Sequence, residues 1–233
     1  MTIAWFLTFT GPEEQRARIA DWFRKTALPA ITSQPGVLSV DLFSAEKAHD
    51  PHLDDGAGPL LMVQTDLETK AQLESLVASS AWQAGFAGQA DQLPPECEVL
   101  QGAYETVDQV VNGQTEVQPR QAPLSYVVRY YRPAEDEKTF TDFYISHHPQ
   151  ILADLPKIRN VYCYLPLDWL NPTTVKVEDC MLGNEVVFDS LDDLNASLKS
   201  DVRHRLREDF MRFPKFTGPN SHYAMRRQRV FNV

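Results

Sequence analysis

The chain has 233 residues and a formal net charge of -10, with 32 acidic against 22 basic residues. That length can bury a substantial core in one large domain or two small ones. The acidic balance argues against nucleic acid or an anionic membrane as the main partner, because both require a concentrated basic surface.

The basic cluster Met225-Arg-Arg-Gln-Arg229 is short and reads as a strand with solvated arginines. Cys97, Cys163 and Cys180 are far apart and odd in number, which fits neither a disulfide framework nor a zinc site. The N-terminal residues lack a basic region followed by a long apolar stretch, and no apolar run has the length of a membrane span. A cytoplasmic protein is expected.

In chain order, the apolar and aromatic run 3–9 predicts a strand. Gly11-Pro12-Glu13-Glu14 opens a helix, since carboxylates favour its positive end. Ile19, Trp22, Phe23, Ala27, Ala30 and Ile31 give that helix its apolar face. Gln34-Pro35-Gly36 stops it, and 37–43 and 60–65 are the next strands. The segment 67–79 is a second helix and 98–107 a last strand.

The same order then returns at an offset of 120 to 122 residues, with Pro12 matching Pro133 and Pro29 matching Pro149. Strands are predicted at 125–131, 161–165, 181–188 and 223–231, with helices at 135–155 and 191–199. Each copy reads β-α-β-β-α-β, the ferredoxin-like arrangement. The fold expected is therefore α+β, with two tandem ferredoxin-like units. Residues 1–107 form the first unit, 108–123 a linker and 124–233 the second unit. One antiparallel sheet carries helices on a single face, so its other face needs cover. The two sheets are expected to pack face to face, either within one chain or, through remaining edges, in a homodimer.

The segment Phe143-Tyr144-Ile145-Ser146-His147-His148-Pro149 places an aromatic pair and His-x-Pro in the first helix of the second copy. This resembles the EthD family of the dimeric α+β barrel group, most clearly over residues 124–190. The family motif has its histidine two residues before the proline, which selects His147, and its aromatic position falls on Phe143. Asp142 stands where the family has tyrosine, and the first copy lacks the histidine. The resemblance implies a link to the breakdown of ethers and aromatic compounds. Related barrels include cofactor-free cyclases, decarboxylases, isomerases and monooxygenases, as well as haem enzymes. Fold alone does not choose among these.

Positions 140, 143, 144, 147, 148, 151, 152 and 155 follow helical spacing, which places both histidines on the buried stripe. Pro149 cannot donate its backbone bond, so the helix is expected to kink and release the Ile145 carbonyl. An imidazole could satisfy that carbonyl, leaving both histidines structural. Alternatively His147 faces a cavity as a general acid or base. His148 is expected to pack.

Arg129, among apolar strand neighbours, could snorkel or hold a substrate anion. Tyr126, Tyr130, Tyr162 and Tyr164 alternate along their strands and could line an aromatic pocket together with Phe143, or simply pack. His49, Asp50, His52, Asp54 and Asp55 lie in a Pro- and Gly-containing loop and read as solvated, so no metal site is expected. Haem ligation by His147 is the cofactor alternative, but no second haem feature accompanies it, and no cofactor is expected. Two functions follow. The first is a cofactor-free acid–base enzyme (a cyclase, isomerase or decarboxylase) acting on a small aromatic or keto acid-like compound. The second is a binding or accessory protein of a degradation pathway.

Overall fold

A computed structural model describes residues 2–53, 55–86 and 93–233. In the first half, β1 (Ile3–Thr10) leads through a short 3-10 turn to α1 (Arg16–Thr32) and β2 (Val37–Glu46). There follow β3 (Leu61–Leu67), α2 (Lys70–Ala78), α3 (Ser80–Gly85) and β4 (Glu98–Gln109). The second half begins with β5 (Leu124–Tyr131), α4 (Glu137–Leu152) and β6 (Asn160–Pro166). It continues with β7 (Lys176–Val177), β8 (Cys180–Phe188), α5 (Leu191–Ser197), α6 (Asp201–Phe210) and β9 (Asn220–Asn232).

The strand order is β4-β1-β3-β2 in the first half and β9-β5-β8-β6 in the second, the same sequence of positions in each. The two sheets pack their inner faces on each other, with Phe6 of the first half 5.1 Å from Tyr164 of the second. They also join edge to edge, β2 with β9 and β4 with β6, all antiparallel. Eight strands thereby close into one barrel within a single chain, and β7 adds a short parallel strand beside β4. Closure hydrogen-bonds the strand edges that two separate sheets would leave open. Eight strands also give an interior just wide enough for side chains to fill.

Period-2 alternation sorts each strand between two environments. On β1, Trp5, Leu7 and Phe9 point outward into a core with α1–α3, while Ala4 and Phe6 fill the barrel. On β5, Leu124, Tyr126, Val128 and Tyr130 point outward beneath α4–α6. Val127 points into the barrel. The linker does more than connect. Its Arg120 enters one mouth of the barrel and meets Glu185 at 2.8 Å and Asp66 at 3.2 Å.

Helix α4 is fixed at its start by Asp136, whose side chain accepts from the Thr139 backbone N–H at 2.9 Å. It does not stop or restart at Pro149 but runs on to Leu152, and α1 likewise runs through Pro29. The Ile145 carbonyl released by Pro149 is taken by the Gln150 side chain at 3.2 Å rather than by an imidazole. Among the described residues no helix is long and apolar enough to cross a membrane.

Candidate functional site

The buried stripe of α4 is narrower than its sequence spacing suggests. Phe140, Tyr144, His148 and Leu152 form it, each one turn from the next. His147 lies one residue, or about 100°, around the helix and is exposed. Its ring stacks on Phe143 at 4.3 Å, and Nδ1 lies 2.8 Å from the Phe143 carbonyl. His147 borders neither the cavity described next nor the barrel interior. It therefore corrects the sequence expectation of burial and does not suit the haem-ligand role considered for it.

His148 is the imidazole that the fold encloses. It is 8% exposed and lines a cavity of about 100 Å³ between the outer face of β5 and β8 and the helices α4–α6. Its Nδ1 lies 2.9 Å from Oδ2 of Asp209 on α6, a residue only 3% exposed. A carboxylate accepts, so Nδ1 carries the proton, and Nε2 of the neutral ring keeps its lone pair. Burial pushes the His148 pKa below its ordinary value, and the hydrogen bond to Asp209 opposes that shift. The other Asp209 oxygen, Oδ1, is buried without a partner.

The cavity wall is mostly apolar, with Leu152, Val186, Leu198, Leu206 and Phe210 among its side chains. Its polar groups are few. Asn184 on β8 is 2% exposed and makes no side-chain hydrogen bond among the described residues. Tyr126 and Tyr130 project from β5, and burial raises both phenol pKa values, so each hydroxyl stays protonated. His222 on β9 completes a second imidazole–carboxylate pair, with Nδ1 3.0 Å from Asp55. Burial lowers its pKa too, against the pull of Asp55.

Asp55 and Asp50 arrive from the first half, on the segment between β2 and β3. Asp50 receives Arg203 of α6 at 3.1 Å and the Tyr126 hydroxyl at 3.3 Å. The loop read as solvated is thus tied across the second half, and Leu53 from the same loop lines the cavity. Asp54 lies outside the described residues. Among the described residues no group of three or more His, Cys, Asp or Glu side chains converges to hold a metal.

Arg129, Tyr162 and Tyr164 lie on the other side of the sheet. Arg129 is 3% exposed inside the barrel. Its guanidinium sits over the rings of Phe6 at 4.6 Å, Tyr164 at 5.2 Å and Tyr104 at 5.6 Å. Nη1 donates to the Val128 carbonyl at 3.1 Å, and Nη2 is buried without a partner. Tyr162 and Tyr164 belong to the same interior, where the Tyr164 hydroxyl donates to Glu185 at 2.6 Å. The sheet therefore separates Arg129, Tyr162 and Tyr164 from His148, Tyr126 and Tyr130. Phe143 packs against Phe213 at 6.0 Å, away from the cavity lining.

Sequence reasoning missed Asp209, Asn184 and Arg203, and it read Asp50 and Asp55 as solvated loop residues. Each gains its place through contacts remote in sequence. His222 carried one local signal, an imidazole at the start of a strand.

The eight strands form a closed antiparallel barrel flanked by two helical layers, an α+β barrel fold. No family model matches the chain, and no curated protein matches it. Among solved structures it is similar to an anthrone oxidase-like protein, with 12% identity and a TM-score of 0.64 over 100% of this chain and 94% of that one. It is also similar to a candidate monooxygenase from Lactobacillus acidophilus, with 11% identity and a TM-score of 0.55 over 99% and 96% of the two chains. A candidate chlorite dismutase aligns with 12% identity and a TM-score of 0.54 over 97% and 94%. These likenesses show the fold. They carry the resemblance of the α4 motif no further than the fold.

Proposed function

We propose that the protein is a small-molecule enzyme of acid–base type, with the cavity under α4–α6 as its active site. The observation that carries this reading is His148, an enclosed imidazole with Nδ1 fixed by Asp209, in a mostly apolar cavity. In that arrangement Nε2 accepts a proton from a ligand O–H or an acidified C–H, and the Asp209 carboxylate stabilises the imidazolium that forms. The suited ligand is a compact hydroxy-aromatic or an enolisable aromatic ketone. A volume of about 100 Å³ is below the 300–1,000 Å³ usual for larger ligands, so the reacting part is small. Arg129 is not the anion holder in this scheme, because the sheet stands between it and His148.

The anthrone oxidase-like and monooxygenase names of the structural neighbours are compatible with a small aromatic substrate, but the reading rests on the cavity. We also read residues 1–107 and 124–233 as tandem ferredoxin-like units joined by 108–123, supported by their shared strand order.

The test is enzyme-dependent hydrogen–deuterium exchange at the α-carbon of 1-tetralone in D2O, followed by NMR. Exchange is expected with the wild type and with His147→Ala, and its loss with His148→Gln. Exchange that survives His148→Gln would overturn the assignment. Binding of 1-tetralone without exchange would instead identify a binding or accessory protein.

A further inference from the structure

The cavity around His148 does not end at its outer wall. A groove of about 470 Å³ lies beyond it, bounded by the β2–β3 segment, the C-terminal end of α5 and β9. Leu53, Tyr126 and His222 line both spaces. Two of these are held in place. Tyr126 is bonded to Asp50, and His222 to Asp55.

The groove is lined by both acidic and basic side chains. Its carboxylates are satisfied, with Glu46 on Arg226, Asp50 on Arg203 and Asp55 on His222. Its two ammonium groups, Lys47 and Lys199, make no ion pair among the described residues. Inside the cavity the guanidinium of Arg203 is claimed by Asp50, Arg207 borders it from an exposed position of α6 without an ion pair among the described residues, and the imidazoles are acceptors at Nε2. A proton-donating head therefore suits the cavity, and an anion suits the groove.

We propose that cavity and groove form one binding tract for a phenol-like head joined by a short chain to a carboxylate, with Leu53 as the residue that sets their spacing. The inference rests on the reading of the cavity as the ligand site. It adds the anionic tail, and it gives the first half of the chain a part in specificity. The head donates to His148 Nε2, the chain passes Leu53, and the carboxylate meets Lys47 and Lys199.

Calorimetric titration with phenol, 4-butylphenol and 4-(4-hydroxyphenyl)butanoate separates the possibilities. Phenol is expected to bind, and the butanoate to bind roughly fivefold or more tighter than 4-butylphenol at low salt, an advantage that salt erodes. The double variant Lys47→Gln/Lys199→Gln should remove that advantage and leave phenol unchanged. Leu53→Trp should weaken both chain-bearing ligands more than it weakens phenol. If phenol binds but the butanoate gains nothing over 4-butylphenol, or the lysine variant changes nothing, the tract is overturned while the cavity reading stands. If none of the three binds, both fall.

Discussion

A buried hydrogen-bonded pair and an exposed ring one residue apart should respond to mutation in opposite ways. His148→Ala leaves Asp209 buried without its partner, and breaking such a pair costs about 3–5 kcal/mol. His147→Ala removes an exposed ring and should stay within about 0.5 kcal/mol of wild type in chemical denaturation. Acid should act through the same group. The folded-state pKa of His148 is lowered, so the unfolded chain binds the proton first. Stability is then complete above the unfolded value of roughly 6.5 and declines as the pH falls from there towards the folded value. His222, lowered in the same direction, adds to the slope. Thermal melts from pH 7.5 to 5 should show the decline, and His148→Gln should flatten it. Arg129 makes a separate demand. Gly183 is its register partner, and a Cβ there would lie 2.6 Å from Nη1. Gly183→Ala should therefore destabilise by about 1–3 kcal/mol, and Arg129→Met should relieve most of that.

The helices explain why the sequence spacing put His147 on the buried stripe beside His148. Buried positions 19, 23, 27 and 31 of α1 match 140, 144, 148 and 152 of α4 at a constant offset of 121. The prolines, Pro29 and Pro149, stand 120 apart and pull a sequence alignment one residue out of phase. In the burial register it is His148 that stands opposite Ala27. The alternation on β1 and β5 and the span of α4 could be read locally, because period and caps are local. The partners of His148 could not, since Asp209 is 61 residues away on a highly charged helix. Nor could the short helix α3, which packs the matching region of the first half. Its Trp82, with Phe86 stacked on it at 4.3 Å and Trp5 edge-on at 5.0 Å, fills that space. Trp82→Ala should cost about 3–5 kcal/mol and leave an apolar hole. Indole should then raise the melting temperature of the variant and not that of wild type. The absence of an indole-dependent shift would mean that the core collapses around the deletion.

For the molecule as a whole, the seams β2–β9 and β4–β6 make each half the completion of the other. The β2–β9 ladder runs from Ser39 paired with Asn232 to Glu46 paired with Ala224, a length of pairing similar to that within either half. The polar contents of the barrel are shared in the same way. Asp41 of the first half receives Arg227 at 3.1 Å and Arg229 at 2.5 Å from the second. Arg120 of the linker bridges Asp66 and Glu185 across the interior. A half on its own would open two strand edges and strand these charges without partners, at a cost of several kcal/mol each in a dry setting. Yet the covalent link itself passes through an exposed turn at Asn112-Gly113, where Gly113 has a φ of 87° and nothing within 4 Å of an added Cβ. Cutting the gene there should yield two polypeptides that fold poorly apart and co-purify when expressed together, because complementary edges and charges, and not the connection, carry the association. Size-exclusion chromatography with light scattering should show a one-to-one complex of the mass of the intact chain. Independently folded, monomeric halves would show that the barrel is an accessory contact between two self-sufficient units, and that the cavity does not depend on the first half for Asp50, Leu53 and Asp55.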